Sequence, residues 1–263
     1  MTLRVSFEKV VTIWNLSVTL WTRCRRTASR RRAVVHRRLS QPTTREGRRC
    51  KTRADVAVVL IGLPGAGKGT QAQLLADQGW CHINVGGLVR SEVAAGTEWG
   101  AQAFAAMQRG DLLPSQAIQS LIARELKRGK PPVVIEGYPR RLEEAPTLPV
   151  LCGRETTLIP VLIDIPLAAS IARLAKRLVC DRCGQVTREG MQSVCPKCSG
   201  PLARRSDDKS QMAIERRLRN FELETVPLIA YYRSRGELET IKALQDEAEV
   251  HREIITRISV RCR

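Results

Sequence analysis

A glycine-rich run, IGLPGAGKGTQAQLL (residues 61–75), contains the residue types that bind phosphate. It nearly matches the pattern G-x-x-x-x-G-K-[ST] from Gly62 to Lys68, but Gly69 stands at the Ser/Thr position and the hydroxyl comes one residue later, at Thr70. Glycines in such a loop let successive backbone N–H groups turn inward around an anion, and the lysine can reach the outer phosphates. The run therefore predicts a nucleotide-binding loop, which by itself fits an ATPase, a GTPase or a small-molecule kinase.

A predicted strand and helix flank this run, which makes a loop that merely turns the chain the weaker interpretation. The residues before it, DVAVVLIG, form a short apolar run rich in β-branched valine, typical of a buried parallel strand. The residues after it, TQAQLLADQG, have helical spacing and stop at Gly79. A helix that begins beside the glycines would turn the positive end of its dipole toward phosphate.

Four of the nine cysteines lie in one short insert, CDRCGQVTREGMQSVCPKC, as two C-x2-C pairs. Two such pairs can close a tetrahedral zinc site of four thiolates, which leaves no open position for a substrate. We therefore predict a structural zinc ion held by Cys180, Cys183, Cys195 and Cys198. Two disulfides or free thiols are the alternatives, and a zinc ribbon that binds nucleic acid or protein is another.

The elements that must position these residues alternate along the chain. The segments CHINV, PPVVIEG, TLIPVLIDI and ELETIKA are further predicted strands, and helices are expected over about 88–94, 99–109, 115–128, 166–178, 208–234 and 247–260. Strands that alternate with helices predict a parallel sheet with right-handed crossovers. We expect an α/β fold, a P-loop NTPase-like three-layer domain with a five-stranded parallel sheet.

A basic segment sets residues 1–53 apart from the remainder. The formal net charge is +18, of which residues 1–53 contribute +13 with fifteen Lys or Arg and two acids, so the rest of the chain carries only +5. This distribution argues against a nucleic-acid-binding domain outside that segment. We expect a disordered N-terminal extension over 1–53 and one domain over 54–263. A transit peptide, a nucleic-acid-binding arm or a misassigned start of translation are the alternatives for the extension.

Two further features concern location and partners. No uninterrupted apolar run approaches the roughly 18 residues that a membrane span requires, so we expect no membrane partner. The cysteines outside the insert are scattered, as is typical of free thiols in a reducing compartment. We therefore expect a cytoplasmic protein, or an organellar one if residues 1–53 are a transit peptide.

The segment GLPGAGKGTQ resembles the opening of adenylate kinases and related nucleoside monophosphate kinases, whose loop reads G-x-P-G-x-G-K-G-T. In that family glycine follows the lysine, so the late hydroxyl of Thr70 is expected. The resemblance covers about residues 54–260. It implies reversible phosphoryl transfer, ATP + AMP = 2 ADP, with Mg²⁺, a monomeric enzyme, and a helical acceptor-binding segment over about 84–113.

Several arginine-containing segments also resemble that family. Phosphoryl transfer between two nucleotides brings several negative charges together, and arginine suits this because its planar fork binds phosphate oxygens bidentately. A solvated surface position is the ordinary alternative for each one. INVGGLVR, EGYPRRLEEA, ARLAKRLVC, ARRSDDKS and ERRLRNFELETVPLIAYY place Arg90, Arg140, Arg173 with Arg177, Arg205 and Arg217 at the matching positions.

The resemblance assigns these residues to two nucleotides. For the donor ATP it implies contacts with Gly65, Ala66, Gly67, Lys68, Gly69, Thr70, Arg173, Arg177 and Gln245. For the acceptor AMP it implies Val85, Arg90, Leu113, Gly137, Tyr138, Arg140, Glu144, Arg205 and Arg217. The transferred group would be stabilised by Lys68, Arg140, Arg173, Arg177, Arg205 and Arg217.

The sequence departs from the family pattern around the acceptor. A threonine and an aspartate of the family's S-T-G-D are Val85 and Gly87 here, and the aspartate of D-G-F-P-R, linked to magnesium, is Glu136. A glutamine that reads the adenine is Glu144, which can accept from an exocyclic amine but cannot donate. An extra residue near 208–217 makes Arg216 an alternative to Arg217 as the phosphate contact.

The cysteine insert falls where the family has a lid that closes over ATP, here about residues 178–207. Zinc-bearing lids occur among bacterial adenylate kinases, although the spacer between the two pairs is shorter here. A lid this small cannot have much of an apolar core of its own. Metal binding would therefore supply the free energy that folds it.

The primary hypothesis is therefore an adenylate kinase with a zinc-stabilised lid. A kinase for another nucleoside monophosphate is the sibling alternative. A nucleic-acid-binding protein that combines the phosphate loop, the zinc ribbon and the basic extension is an alternative from a different class, and a catalytically idle scaffold is a third.

Overall fold

The computed structural model describes residues 55–129, 132–190, 193–208 and 210–262. The expected disordered extension over 1–53 lies outside the described residues. The strands are β1 (Val56–Ile61), β2 (Cys81–Asn84), β3 (Val133–Glu136), β4 (Thr157–Asp164), β5 (Arg177–Cys180), β6 (Val186–Arg188), β7 (Leu202–Ala203) and β8 (Glu239–Lys242).

Helices connect the strands along the chain. They are α1 (Lys68–Asp77), α2 (Val85–Ala94), α3 (Glu98–Arg109), α4 (Ser115–Arg128), α5 (Leu148–Cys152), α6 (Leu167–Ala175), α7 (Gln211–Asn220), α8 (Val226–Ser234) and α9 (Glu247–Arg261). Short 3-10 helices span Leu142–Thr147 and Ser206–Asp208, and a π-helical turn spans Phe221–Thr225.

Five parallel strands form the central sheet, in the order β2–β3–β1–β4–β8. Every residue of β1 is at most 3% exposed, as the continuous apolar run predicted for a strand covered on both faces. From β1 the chain first builds one side of the sheet and then crosses to β4 on the other. A ligand crevice is expected where the strand order reverses, at the carboxyl end of β1.

Some helix bounds differ from the sequence expectation. The helix after the glycine loop begins at Lys68, beside the glycines as expected. In contrast, α6 ends at Ala175 instead of about 178, because the chain enters the extended strand β5 two residues later. The run expected as one helix over 208–234 is divided by the π-helical turn before Pro227. Proline cannot donate a helical hydrogen bond, and a wider turn before it accommodates the missing donor.

The cysteine insert forms a second, three-stranded sheet in the order β6–β5–β7, with antiparallel pairing. These strands were not predicted because each is short, and β6 is partly exposed without a clear alternation of apolar residues. Cys180 ends β5 and is buried, as is Cys195. The insert therefore places sulfur atoms where a larger domain would place an apolar core.

Candidate functional site

The glycine loop between β1 and α1 has the geometry of an anion cradle. Gly65 and Gly67 adopt φ angles of 80° and 101°, which side chains other than glycine rarely allow. A Cβ on Gly62 would lie 2.6 Å from the carbonyl oxygen of Ile163, so glycine lets the loop pack against the end of β4. Helix α1 begins at Lys68, directly after Gly67, so its amino end faces the loop.

Lys68 is folded back across the loop. Its Nζ donates to the carbonyl oxygens of Gly62 and Leu63, each at 2.8 Å. Burial is the main reason that the pKa of Lys68 falls to about 7; the Glu136 carboxylate opposes this change, and the Arg140 charge adds to it. A bound polyphosphate would add negative charge beside the ammonium and raise that pKa again.

Glu136, at the end of β3, faces the same loop. A Cβ on Gly69 would stand 3.4 Å from Glu136 Oε2, and His82 Nε2 lies 3.2 Å from Glu136 Oε1. Burial acts to raise the pKa of Glu136, but the hydrogen bond with His82 and the charges of His82 and Lys68 outweigh it and keep that pKa below its usual value. The carboxylate beside Gly69 is therefore ionised, and an ionised carboxylate is a ligand that suits a divalent cation.

All of the residues assigned to the acceptor by resemblance line one pocket. These are Val85, Arg90, Leu113, Gly137, Tyr138, Arg140, Glu144, Arg205 and Arg217. Five arginines line this pocket, because Arg141 joins the four in that set. Apolar side chains from α2, α3 and α4, among them Val89, Met107 and Ile118, form another part of the wall. The pocket thus combines an apolar surface for a base with cations for a phosphate.

Arg90 is the least compensated cation of the pocket. Its Nη1 atom is buried and has no hydrogen-bond partner among the described residues. Burial lowers the pKa of Arg90 to about 10, and the charge of Arg205 contributes. A buried guanidinium nitrogen without a partner is costly unless a ligand supplies the acceptor, and a phosphate oxygen meets that need.

Two aspartates hold three of the other arginines. Arg177 makes a bidentate pair with Asp208, with two N···O distances of 2.7 Å, and Arg217 Nη1 donates to the same carboxylate at 2.7 Å. Arg205 makes a bidentate pair with Asp207 at 3.0 and 2.8 Å. Burial acts to raise the pKa of Asp207, but the Arg205 and Arg217 charges outweigh it and lower that pKa.

The neighbours Arg216 and Arg217 point to different surroundings. Arg216 Nη1 pairs with Asp111 at 3.0 Å and its side chain is 52% exposed, whereas the Arg217 side chain is 15% exposed and lines the acceptor pocket. This placement favours Arg217 as the phosphate contact. Arg140 lies beside it, and burial followed by the Arg217 charge lowers the pKa of Arg140 to about 10.

Arg173 contacts the glycine loop and the segment after β8, in which Gln245 also lies. Arg173 donates from Nη2 to the carbonyl oxygen of Ala243 at 2.9 Å and from Nη1 to that of Ala66 at 3.3 Å. It therefore joins the glycine loop to the segment after β8. Gln245 is exposed two residues beyond Ala243. The structure therefore brings Arg173 to the loop, and the lining of the acceptor pocket includes neither Arg173 nor Gln245.

The four cysteine sulfurs come together in the insert. Sγ atoms of Cys180 and Cys198 are 3.5 Å apart, those of Cys183 and Cys195 are also 3.5 Å apart, and all four lie within 4.8 Å of one another. Zinc–sulfur bonds of about 2.3 Å in a tetrahedron need sulfurs about 3.8 Å apart, so the cluster fits zinc. Burial acts against ionisation of Cys180, but amides of Cys183 and Arg182 donate to it and lower its pKa to about 7, which favours the ligating thiolate.

Sequence reasoning missed several residues of the site. Asp207 and Asp208 lie in the matched R-x-D-D segment, but the spacing alone did not reveal that they pair with the arginines. His82, Ser115 and Arg141 gave no signal, because their contacts join residues that are distant in the chain.

A phosphate loop at the switch point of a parallel sheet, opposite an arginine-lined pocket, defines a P-loop nucleotide kinase. The adenylate kinase family model matches residues 60–237, and the chain belongs to that family. It is thus a phosphotransferase of the nucleoside monophosphate kinase class. The predicted family and fold class are confirmed, and the four-cysteine cluster fits the predicted zinc-bearing insert.

Similar proteins agree with the family model. An adenylate kinase of Magnetococcus marinus is 34% identical over 203 residues, covering 73% of this chain and 95% of that protein. Adenylate kinases of Methanosarcina barkeri and Desulfitobacterium hafniense are 34% and 35% identical over 207 residues, covering 75% of this chain and 95% of each relative. Among the residues that the structure describes, every helix is too short or too polar to span a bilayer.

Proposed function

We propose that the chain catalyses reversible phosphoryl transfer, ATP + AMP = 2 ADP. The observation that carries this proposal is the buried, unpartnered Nη1 atom of Arg90 in a pocket that also holds Arg140, Arg205 and Arg217. These four of the five guanidinium groups that line the pocket suit a monophosphate acceptor and the charge that develops when it attacks a second phosphate.

The donor phosphates would be held by the loop. The amides of Gly65 to Thr70, including Ala66, Gly67 and Gly69, would surround them, and Lys68 would leave its two carbonyl partners to follow the transferred group. Arg173, Arg177 and Gln245 would contact the donor from the lid side. Glu136 and Thr70 would hold the magnesium ion that accompanies ATP and neutralises phosphate charge.

Transfer would be direct and in line, with no covalent enzyme intermediate. Positioning and fixed charge lower the barrier of such a reaction more than a nucleophilic side chain does. The lid over about 178–207 would close over ATP, turning near 177–180 and 203–208, and the segment over about 84–113 would close over AMP. Closure would exclude water, which would otherwise compete with AMP for the phosphoryl group.

The Cys180, Cys183, Cys195 and Cys198 cluster would hold a structural zinc ion that stabilises the lid. We further propose that the enzyme is cytoplasmic, because its cysteines outside the cluster are scattered as in a protein of a reducing compartment, and that it acts as a monomer, as the family resemblance implies.

An acceptor panel tests the reaction. The full chain would be assayed for ADP formation from Mg·ATP with AMP, GMP, CMP or UMP, and we expect AMP to give the largest kcat/KM. The sibling alternative is a kinase for another monophosphate, because the sequence departs from the family pattern at Val85 and Glu144. A different acceptor giving the largest kcat/KM would establish that alternative, and no turnover with any acceptor would refute the kinase assignment.

A further inference from the structure

The lining of the acceptor pocket contains a buried carboxylate that is already held in place. Glu144 is 4% exposed, and its Oε2 accepts from the backbone amides of Arg140 at 2.7 Å and Arg141 at 3.1 Å. Its Oε1 accepts from the Ser115 hydroxyl. These contacts fix the orientation of the carboxylate, which presents acceptor atoms only.

A guanidinium lies directly beside it. Arg141 Nη1 donates to the Leu113 carbonyl at 3.3 Å and to Ser115 Oγ at 3.2 Å, and lies 3.9 Å from Glu144 Oε1. Among the described residues, Nε and Nη2 of Arg141 have no hydrogen-bond partner. Arg141, Glu144 and Leu113 all line the pocket. This part of the pocket lining therefore has fixed acceptors next to unused donors.

Together, Glu144 and Arg141 offer the acceptor and the donor that a single amide side chain would offer alone. An amide donates and accepts, a carboxylate only accepts, and a guanidinium only donates. Adenine presents an exocyclic amine next to the ring nitrogen N1, so it requires an acceptor and a donor side by side. Glu144 and Arg141 supply one each, and the guanidinium also offsets the buried negative charge.

We propose that Arg141 is a specificity-determining residue of the acceptor site, donating to adenine N1 while Glu144 accepts from the exocyclic amine. The inference rests on the proposed function and names the two atoms of the base that are read. A base with a carbonyl in place of the amine, such as guanine or uracil, would turn an oxygen toward the Glu144 carboxylate and be rejected.

A ligand lacking only N1 tests this contact. Binding of AMP and of 1-deaza-AMP, in which a C–H replaces N1, would be measured by calorimetry on the full chain and on Arg141→Leu. The unmodified chain should bind 1-deaza-AMP about tenfold to a hundredfold more weakly than AMP, the usual loss for a hydrogen bond to a charged group. Arg141→Leu should bind the two ligands within about threefold of each other. Arg154→Leu, an exposed arginine outside the pocket, should keep the full discrimination.

A second variant separates recognition from a merely structural role. Adding Glu144→Gln to Arg141→Leu returns an amide N–H to this part of the pocket lining, and we expect discrimination between the two ligands to return in part. If Arg141→Leu weakens both ligands equally, the residue only braces Leu113 and Ser115, and the inference is overturned. Equal binding of the two ligands by the unmodified chain overturns it too, even when AMP is the preferred acceptor. Failure of AMP as an acceptor overturns the proposed function as well.

Discussion

Glu136 faces Gly69 so closely that a Cβ on residue 69 would stand 3.4 Å from the carboxylate oxygen Oε2. In the general phosphate-loop pattern this position carries a hydroxyl that binds magnesium. Here glycine leaves room for a carboxylate from β3, and the hydroxyl follows at Thr70. Gly69 in the loop and Glu136 at the end of β3 are therefore matched, because any side chain at residue 69 would contact the carboxylate.

Removing the charge of Glu136 should weaken the binding of magnesium. Glu136→Gln keeps the shape of the side chain but loses its attraction for a cation, so we expect the Mg²⁺ concentration for half-maximal activity to rise about tenfold or more. Initial rates over a magnesium titration measure this. Glu136→Asp, which keeps the charge, is the control and should remain within about threefold. An unchanged magnesium dependence in Glu136→Gln would remove this residue from the metal site.

Nucleotide binding should take up a proton above neutral pH. Because the pKa of Lys68 is about 7 in the folded chain, its amine is largely neutral at pH 8 and becomes an ammonium when donor phosphates arrive. At pH 6 it is already charged, so this contribution vanishes. Calorimetry of Mg·ATP binding in buffers of different ionisation enthalpy measures the uptake, which should approach one proton at pH 8. An uptake that is the same at both pH values would contradict the assignment.

Two neighbouring arginines give a matched comparison. Arg217→Ala should lower kcat/KM about a hundredfold or more, because Arg217 lines the acceptor pocket and contacts Asp208. Arg216→Ala removes only an exposed pair with Asp111 and should change kcat/KM by less than about threefold. Steady-state kinetics with AMP varied measure both, and equal losses would show that placement does not separate their roles.

Zinc removal should destabilise the lid before the central sheet. Cys195→Ser takes away a buried ligand, so we expect loss of the bound zinc, a lower melting temperature of the insert and reduced turnover. Metal content by mass spectrometry, together with thermal unfolding, measures these changes. Cys152→Ser, a cysteine outside the cluster, should retain one zinc ion per chain. Full zinc content in Cys195→Ser would exclude the four-cysteine site.

The central sheet could be predicted because its signals are local. The valine-rich run of β1 and the glycines after it indicate a buried strand and a tight loop without reference to the rest of the chain. The four-cysteine cluster was predictable for the same reason, since Cys180 and Cys183, and then Cys195 and Cys198, lie close in sequence.

The polar contacts of the site could not be predicted in this way. Ser115 meets Glu144 across 29 positions, and His82 meets Glu136 across 54, so only the folded chain joins them. Spacing likewise left Arg216 and Arg217 as alternatives. Which of the two neighbours faces the pocket depends on which side of α7 packs against it, and the spacing does not give that. Local pattern thus indicates which residues can act, while tertiary packing decides which of them meet.

Asp208 gives the site an internal counterion. Arg177 and Arg217 both contact this carboxylate. A phosphate that binds either guanidinium therefore displaces the Asp208 carboxylate and does not meet an unpaired cation. Phosphate binding is then an ion exchange. Its free energy is the difference between pairing the arginine with phosphate and pairing it with Asp208. The proposed reversible reaction would require release of every bound nucleotide, and the competing Asp208 carboxylate would favour that release while it keeps both guanidinium groups in place.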